Sequence, residues 1–166
     1  RAGFGAGALG NRASMADRPP AETKDILNAR VKFRGPFRPF APSCLEESCG
    51  DLFDCSVPSP FMLRVYETLP ARLHDLASIT HVDGGARVQT VTQAQNAPYY
   101  NVIKEFGKLT GVDCILNTSF NIRGEPIVNN VKEALFCFYG TDMDYVIAGN
   151  NLVAKNGNSL SEALGE

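Results

Sequence analysis

Two segments of the chain concentrate side chains able to grip an anion. The first, residues 32–42 (KFRGPFRPFAP), sets Lys32, Arg34 and Arg38 among three prolines and three phenylalanines. Proline fixes φ and the rings anchor the strip, so cations carried on it have less freedom to lose when they bind phosphate or carboxylate. Arginine offers a planar fork and lysine a compact charge. The second segment, residues 116–126 (LNTSFNIRGEP), follows an apolar run with Asn117, Thr118, Ser119, Asn121 and Arg123. Ligands on open α/β sheets bind beyond the carboxyl ends of strands, where such amides and hydroxyls suit a phosphate, a ribose or an amide. A plainer reading of the same residues is open: Arg34 and Arg38 paired with Glu46 and Glu47, and Asn117 to Asn121 forming a turn.

These segments need elements to hold them. Residues 1–21, rich in Gly, Ala and Arg and closed by Pro19-Pro20, read as loop. Residues 22–30 read as a short helix with acidic residues in its first turn. The prolines of 32–42 demand an extended, packed segment. Residues 43–50 suit a short strand or turn, and 61–66 (FMLRVY) a strand. After the turn Asp83-Gly84-Gly85, residues 86–92 (ARVQTVT) alternate and are β-branched, as a strand would be. Asn96 should cap a helix with Pro98 near its start, Tyr99, Val102, Ile103, Phe106 and Leu109 on its apolar face, and Gly111 at its end. Residues 112–116 form a buried strand. Asn129 or Asn130 caps a second helix, whose Ala134, Leu135 and Phe138 point inward and which Gly140 ends. Residues 145–148 and 152–154 are two final strands. Strands alternating with helices predict an α/β sheet. The domain bounds that follow are a glycine-rich N-terminal loop segment (1–21), one domain (22–155) and a flexible tail (156–166).

Composition limits the function classes. Apolar residues are 44% of the chain and charged residues 20%, which excludes a disordered acidic or basic tail, a collagen-like fibre and a small disulfide scaffold. No apolar run approaches the ~20 residues of a membrane helix. Residues 1–40 carry a net +5 and the remainder a net −7, which favours a local anion site over a nucleic-acid wrap. The chain opens at Arg1 rather than Met and reads as part of something longer. Five cysteines make an odd count without CxxC spacing. Cys114 and Cys137 read as core thiols; Cys44, Cys49 and Cys55 fit no common zinc pattern. A reduced, cytoplasmic setting is the simplest expectation. The string Gly5-Ala6-Gly7-Ala8-Leu9-Gly10 matches a dinucleotide fingerprint, but no apolar strand precedes it and Pro19-Pro20 truncates any helix after it.

Read together, FGAGALGNRAS, KFRGPFRPFAPS, SPFML, THVDGGARVQTV and ILNTSFNIRGEPIV, in that order, resemble the C-terminal domain of ATP-dependent O-carbamoyltransferases, a family of nodulation-factor and antibiotic-tailoring enzymes. The likeness runs from about Phe4 to Lys155. It implies a YrdC-like twisted mixed α/β sheet flanked by helices. It also implies that carbamoyl phosphate and ATP, the latter with Mg²⁺, are converted to carbamoyl-adenylate with release of phosphate and pyrophosphate. In the complete enzymes an N-terminal actin-like domain, carrying a His/Asp iron site, passes the carbamoyl group to a hydroxyl acceptor. That domain is the expected partner, and iron is expected only there. His74 and His81 do not form the iron motif and read as loop or surface residues. By resemblance, Lys32 and Arg38 are the catalytic cations on the phosphates, Arg87 is a further anion-binding residue, and Asn117 and Ser119 line the adenylate pocket, with Arg123 able to add charge. One departure stands out. The family motif usually reads FGPRALGNRS, so Ala6 and Gly7 replace a Pro and a cationic Arg, with Arg1 or Arg12 as candidate substitutes. The alternatives are a degenerate, non-catalytic nucleotide-binding or protein-docking module and an RNA-binding domain. Phe53, Phe61 and Tyr66 are candidates for an apolar surface that meets the partner domain.

Overall fold

A computed structural model of the chain describes residues 9–17, 22–33, 35 and 40–155. Its centre is a four-stranded mixed sheet built from β1 (Ala13–Ala16), β2 (Ala41–Leu45), β5 (Gln89–Val91) and β6 (Cys114–Ser119), in the order β1-β6-β2-β5. Strand β6 runs antiparallel to both β1 and β2, and β5 runs parallel to β2. All five residues of β2 are buried, as its place between two neighbours requires. Its Pro42 falls just before the β5 ladder begins at Ser43, where a missing N–H costs least. The mixed α/β class matches expectation.

One face of the sheet is covered by α2 (Gln93–Thr110), whose Tyr99 and Ile103 pack on Leu45, Val91 and Ile115. Thr92 and Gln95 close a capping box, and the chain then breaks from helical geometry at Asn96 (φ −156°, ψ 81°). Asn96 Oδ1 accepts from Tyr99 N at 3.3 Å, so this residue caps the longer part of the helix, with Pro98 in its first turn where no N–H is needed. Gly111 (φ +75°) ends it in the left-handed region. The apolar face is narrower than expected: Val102 and Leu109 are exposed. At about 100° per residue they lie roughly 60° and 80° round the helix from Tyr99, off the stripe shared by Ile103 and Phe106.

The opposite face packs Cys44, Cys114 and Leu116 on Phe40, Leu52, Phe53, Leu76, Ile79 and Val88. Phe53 and Tyr66, candidate surface residues in the sequence, belong to this core at 1% and 8% exposure; Phe61 is exposed. Helix α1 (Glu22–Arg30) is as expected. A third cluster gathers α3 (Val131–Tyr139) and the hairpin of β7 (Tyr145–Ala148) and β8 (Asn151–Ala154) around Phe138. Asn130 caps α3 by accepting from Glu133 N at 3.0 Å, and Gly149 (φ +63°) begins the two-residue turn of the hairpin.

Three expectations fail for one reason, a partner strand that local pattern cannot reveal. Residues 13–16, read as loop, form β1 on the edge of the sheet, and pairing with them carries β6 on to Ser119 rather than stopping it at Leu116. The stretch 86–92 is divided between two sheets: β4 (Gly85–Ala86) pairs with β3 (Tyr66–Glu67), and β5 joins the central sheet. The apolar run 61–66 contributes only Tyr66 to a strand; Met62 takes a positive φ of 56°, and Phe61, Leu63 and Val65 face outward.

All five cysteines are free thiols. Cys44 and Cys49 lie in the core and Cys55 packs against them. A hydrogen bond between Cys44 and Cys49 raises the first thiol and lowers the second, while burial pushes Cys55 up to about 12. Among the described residues no group of three His, Cys, Asp or Glu side chains is arranged to hold a metal, and no helix is long and apolar enough to cross a membrane.

Candidate functional site

Lys32, the first residue of the cationic strip, meets the polar strand end. Lys32, only 5% exposed, points its ammonium at the end of β6. Nζ donates to the Ser119 carbonyl, to Asn121 O and Asn121 Oδ1 (both 2.9 Å) and lies 3.4 Å from Ser119 Oγ. Ser119 Oγ in turn donates to Asn121 Oδ1 at 2.6 Å. A single charge thus gathers the oxygens of a strand end 87 residues away. Asn121, singled out in the sequence as a polar donor, is the central partner of this clamp.

Two residues back along β6, on the same α2-facing side of the sheet, Asn117 is 1% exposed. Its Nδ2 donates to Ser43 Oγ and to Gln89 Oε1, each at 3.0 Å, and Ser43 Oγ donates to Gln89 Oε1 at 2.7 Å. Register explains the meeting, since Ser43 is paired with Gln89 on one side and with Ile115 on the other. Tyr99 of α2 stands over this row. Burial pushes its phenol up, partly offset by the nearby Ser43 hydroxyl. Ser43, Gln89 and Tyr99 went unnoticed as site residues in the sequence, although Ser43 closes KFRGPFRPFAPS and Gln89 lies inside ARVQTV.

The N-terminal segment is locked onto the same side. Gly10 has φ +83°, and a Cβ there would sit 2.2 Å from the Tyr99 ring, so only glycine fits between loop and helix. Arg12 Nη1 donates to Val128 O at 3.0 Å and lies 3.5 Å from Asn129 Oδ1, while Phe120 N donates to Arg12 O at 2.9 Å. Arg12 therefore ties β1 to the segment after β6, which is a structural occupation for a residue considered as a replacement for the cation missing at Gly7.

The other site residues are placed differently. Arg87 is exposed two residues before Gln89, and Arg123 is exposed in the turn after β6. No hydrogen bond or ion pair holds either guanidinium among the described residues. Arg34, Arg38, Arg1 and Gly7 lie outside the described residues. His74 and His81 are surface residues, beside Asp75 (3.6 Å) and Asp83 (3.1 Å). Two hydrogen bonds, from Gly85 N and His81, hold the Asp83 carboxyl below its ordinary range. Chemically, the assembled donors are ammonium, amide and hydroxyl groups. They suit phosphate, carboxylate or amide oxygens rather than a divalent cation.

Known proteins resemble the chain over nearly its whole length. The chain is 47% identical over 165 residues to nodulation protein NolO of Bradyrhizobium diazoefficiens, covering 98% of this chain and 30% of that protein. It is 46% identical to nodulation protein NolNO of Sinorhizobium fredii, covering 93% and 23%, and 36% identical to nodulation protein U of Rhizobium tropici, covering 93% and 26%. The chain therefore spans less than a third of the length of these relatives. The model of the family described as carbamoyltransferase C-terminus matches residues 1–155, which include the Lys32 clamp and the Asn117 row, and the chain belongs to that family.

Proposed function

We propose that this domain binds carbamoyl phosphate and MgATP: one water cleaves carbamoyl phosphate to carbamate and phosphate, and the carbamate oxygen then bonds to the α-phosphorus of ATP as the bond to pyrophosphate breaks, giving carbamoyl-adenylate. One observation carries the reading: a buried lysine ammonium is delivered to a strand end of amides and hydroxyls by a segment 87 residues away. Expelling pyrophosphate concentrates negative charge, and fixed donors stabilise it best where water is scarce. Lys32 is such a donor. A phosphate oxygen in place of one of its present carbonyl acceptors would turn a neutral hydrogen bond into a charge-paired one. Asn117 and Ser119 supply neutral donors and acceptors, Arg87 and Arg123 mobile charge from the surface, and Arg38 a second cation from the strip. Mg²⁺ arrives on the triphosphate, held by phosphate oxygens. The carbamoyl group then passes to a hydroxyl through an N-terminal domain, where iron also belongs.

Titration calorimetry with millimolar carbamoyl phosphate and MgATP, followed by an assay for pyrophosphate, tests the reading. Heat for both ligands and Mg²⁺-dependent pyrophosphate are expected; no heat for either ligand overturns it.

A second reading, a nucleotide domain that has lost catalysis, is favoured by Gly7 where the family motif usually has an arginine. Removing a desolvated phosphate contact costs ~2–5 kcal/mol. On that reading Gly7→Arg creates nucleotide binding that the parent lacks, whereas equal affinities in parent and variant dismiss it.

A further inference from the structure

The hydrogen-bonded ring on the α2 face has a direction, set by the Gln89 amide. Ser43, Gln89 and Asn117 are 0%, 4% and 1% exposed, and they come from three neighbouring strands. Ser43 has one proton, which it gives to Gln89 Oε1. Only lone pairs therefore remain on its oxygen to face Asn117. Gln89 presents the same oxygen to Asn117, so the two neighbours of that amide are both acceptors. While Gln89 keeps its Oε1 on the ring, turning the Asn117 amide over would set its oxygen against two acceptors. Held by Gln89 and Ser43 in this way, Asn117 faces the ring with Nδ2 and away from it with Oδ1. That outward oxygen is buried and has no hydrogen-bond partner among the described residues. A buried carbonyl left in this state is costly, and a donor supplied from elsewhere removes the cost.

We infer that Gln89 and Ser43 are positioning residues that lock Asn117 with Oδ1 outward, making it a dedicated acceptor for an N–H of the bound ligand. The inference rests on the function proposed above. Both substrates of that reaction carry a conjugated NH₂: the carbamoyl group and the 6-amino group of adenine. Each donates and neither accepts well, so an acceptor of fixed orientation selects for them against analogues that lack the hydrogens. An amide free to flip would offer a donor or an acceptor indifferently and select nothing. The ring therefore acts on specificity through Asn117, without Gln89 or Ser43 touching the ligand.

The test uses the whole chain and two matched ligand pairs. Carbamoyl phosphate against acetyl phosphate exchanges NH₂ for CH₃; ATP against purine riboside triphosphate removes the 6-amino group. In the parent, one pair should show a preference of roughly tenfold for the NH₂-bearing member, and which pair shows it identifies the source of the N–H. Gln89→Met keeps length and removes the acceptor, freeing the Asn117 amide. It should bring that ratio to within about twofold while leaving the other pair's ratio unchanged. Gln89→Glu retains the acceptor oxygen and should retain the preference. Ser43→Ala makes the same test with a smaller change if Gln89→Met does not fold. A ratio, unlike an affinity or a melting temperature, does not respond to a general loosening of the site. No preference in either pair, or a preference that survives both Gln89→Met and Ser43→Ala, overturns the inference and leaves Oδ1 to an internal water. Absence of binding by both natural ligands overturns the proposed function with it, and is distinct from binding without discrimination.

Discussion

The two faces of the central sheet bury chain for different ends. Beneath it, Cys44, Cys114 and Leu116 meet Phe53, Leu76, Ile79 and Val88 in a core of hydrocarbon and thiol. On the α2 side Leu45, Val91 and Ile115 are apolar, but Ser43, Gln89, Asn117 and Ser119 continue the same rows as polar groups. A strand alternates its side chains, so β2 and β6 serve both faces at once. Ser43 is buried next to Cys44, and Asn117 next to Leu116. The apolar face rests mainly on volume and packing. The polar face is a hydrogen-bonded row in which, among the described residues, Asn117 Oδ1 and the Tyr99 hydroxyl are buried without a partner. Stability and recognition are thereby assigned to opposite sides of one sheet.

The comparison is broken most forcefully from below. Phe53→Ala empties a fully buried ring site and should cost about 3–5 kcal/mol in denaturant unfolding. Ligand preference in the molecules that stay folded should be unchanged, because the site lies across the sheet. Lys32→Met acts on the polar face. It leaves the Ser119 and Asn121 oxygens without their cation, and a loss of about 1.5–3 kcal/mol in unfolding should accompany loss of carbamoyl phosphate and ATP heat in calorimetry. A stability loss with ligand heat retained would make the clamp purely structural. Gly10→Ala sharpens the boundary of the polar face. The left-handed φ and the Tyr99 ring together should cost about 1–3 kcal/mol, with a shift of the tyrosine signals in near-ultraviolet dichroism. The smallest effect comes from the thiols. Cys55 is pushed up to about 12 by burial, from an ordinary value of 9.0. Below pH 9 its thiol is neutral folded and unfolded alike. Between pH 9 and 12 the unfolded chain loses that proton and the folded one keeps it, so stability falls as pH rises. Cys55→Ala should flatten the fall in an alkaline unfolding series.

Legibility in the sequence followed the range of the interactions involved. The caps and stops of α2 and α3 were readable because Asn96, Pro98, Gly111 and Asn130 act on backbone within one turn of themselves. The reach of β6 was not, because its last two residues are strand only through the pairing of Ser14 and Ala13 with Thr118 and Ser119. The apolar look of residues 61–66 misled for the converse reason: no neighbouring strand extends along them beyond Tyr66. In the site, Lys32, Asn117 and Ser119 could be picked by type and by the segments that carry them. Ser43 and Gln89 could not, since their importance is the direction of protons shared with a residue 74 and 28 positions away.

Residue type and order alone were enough to announce an α/β domain, a stiff cationic strip, a polar strand end and the family to which these belong. Each of those depends on side-chain chemistry or on neighbours a few positions off. Folding in three dimensions decided that Lys32 closes on the strand end, that one face of the sheet would be polar, and which distant side chains hold a buried amide. Those outcomes depend on strand register, which sets distant residues on a common face and is written in no single segment.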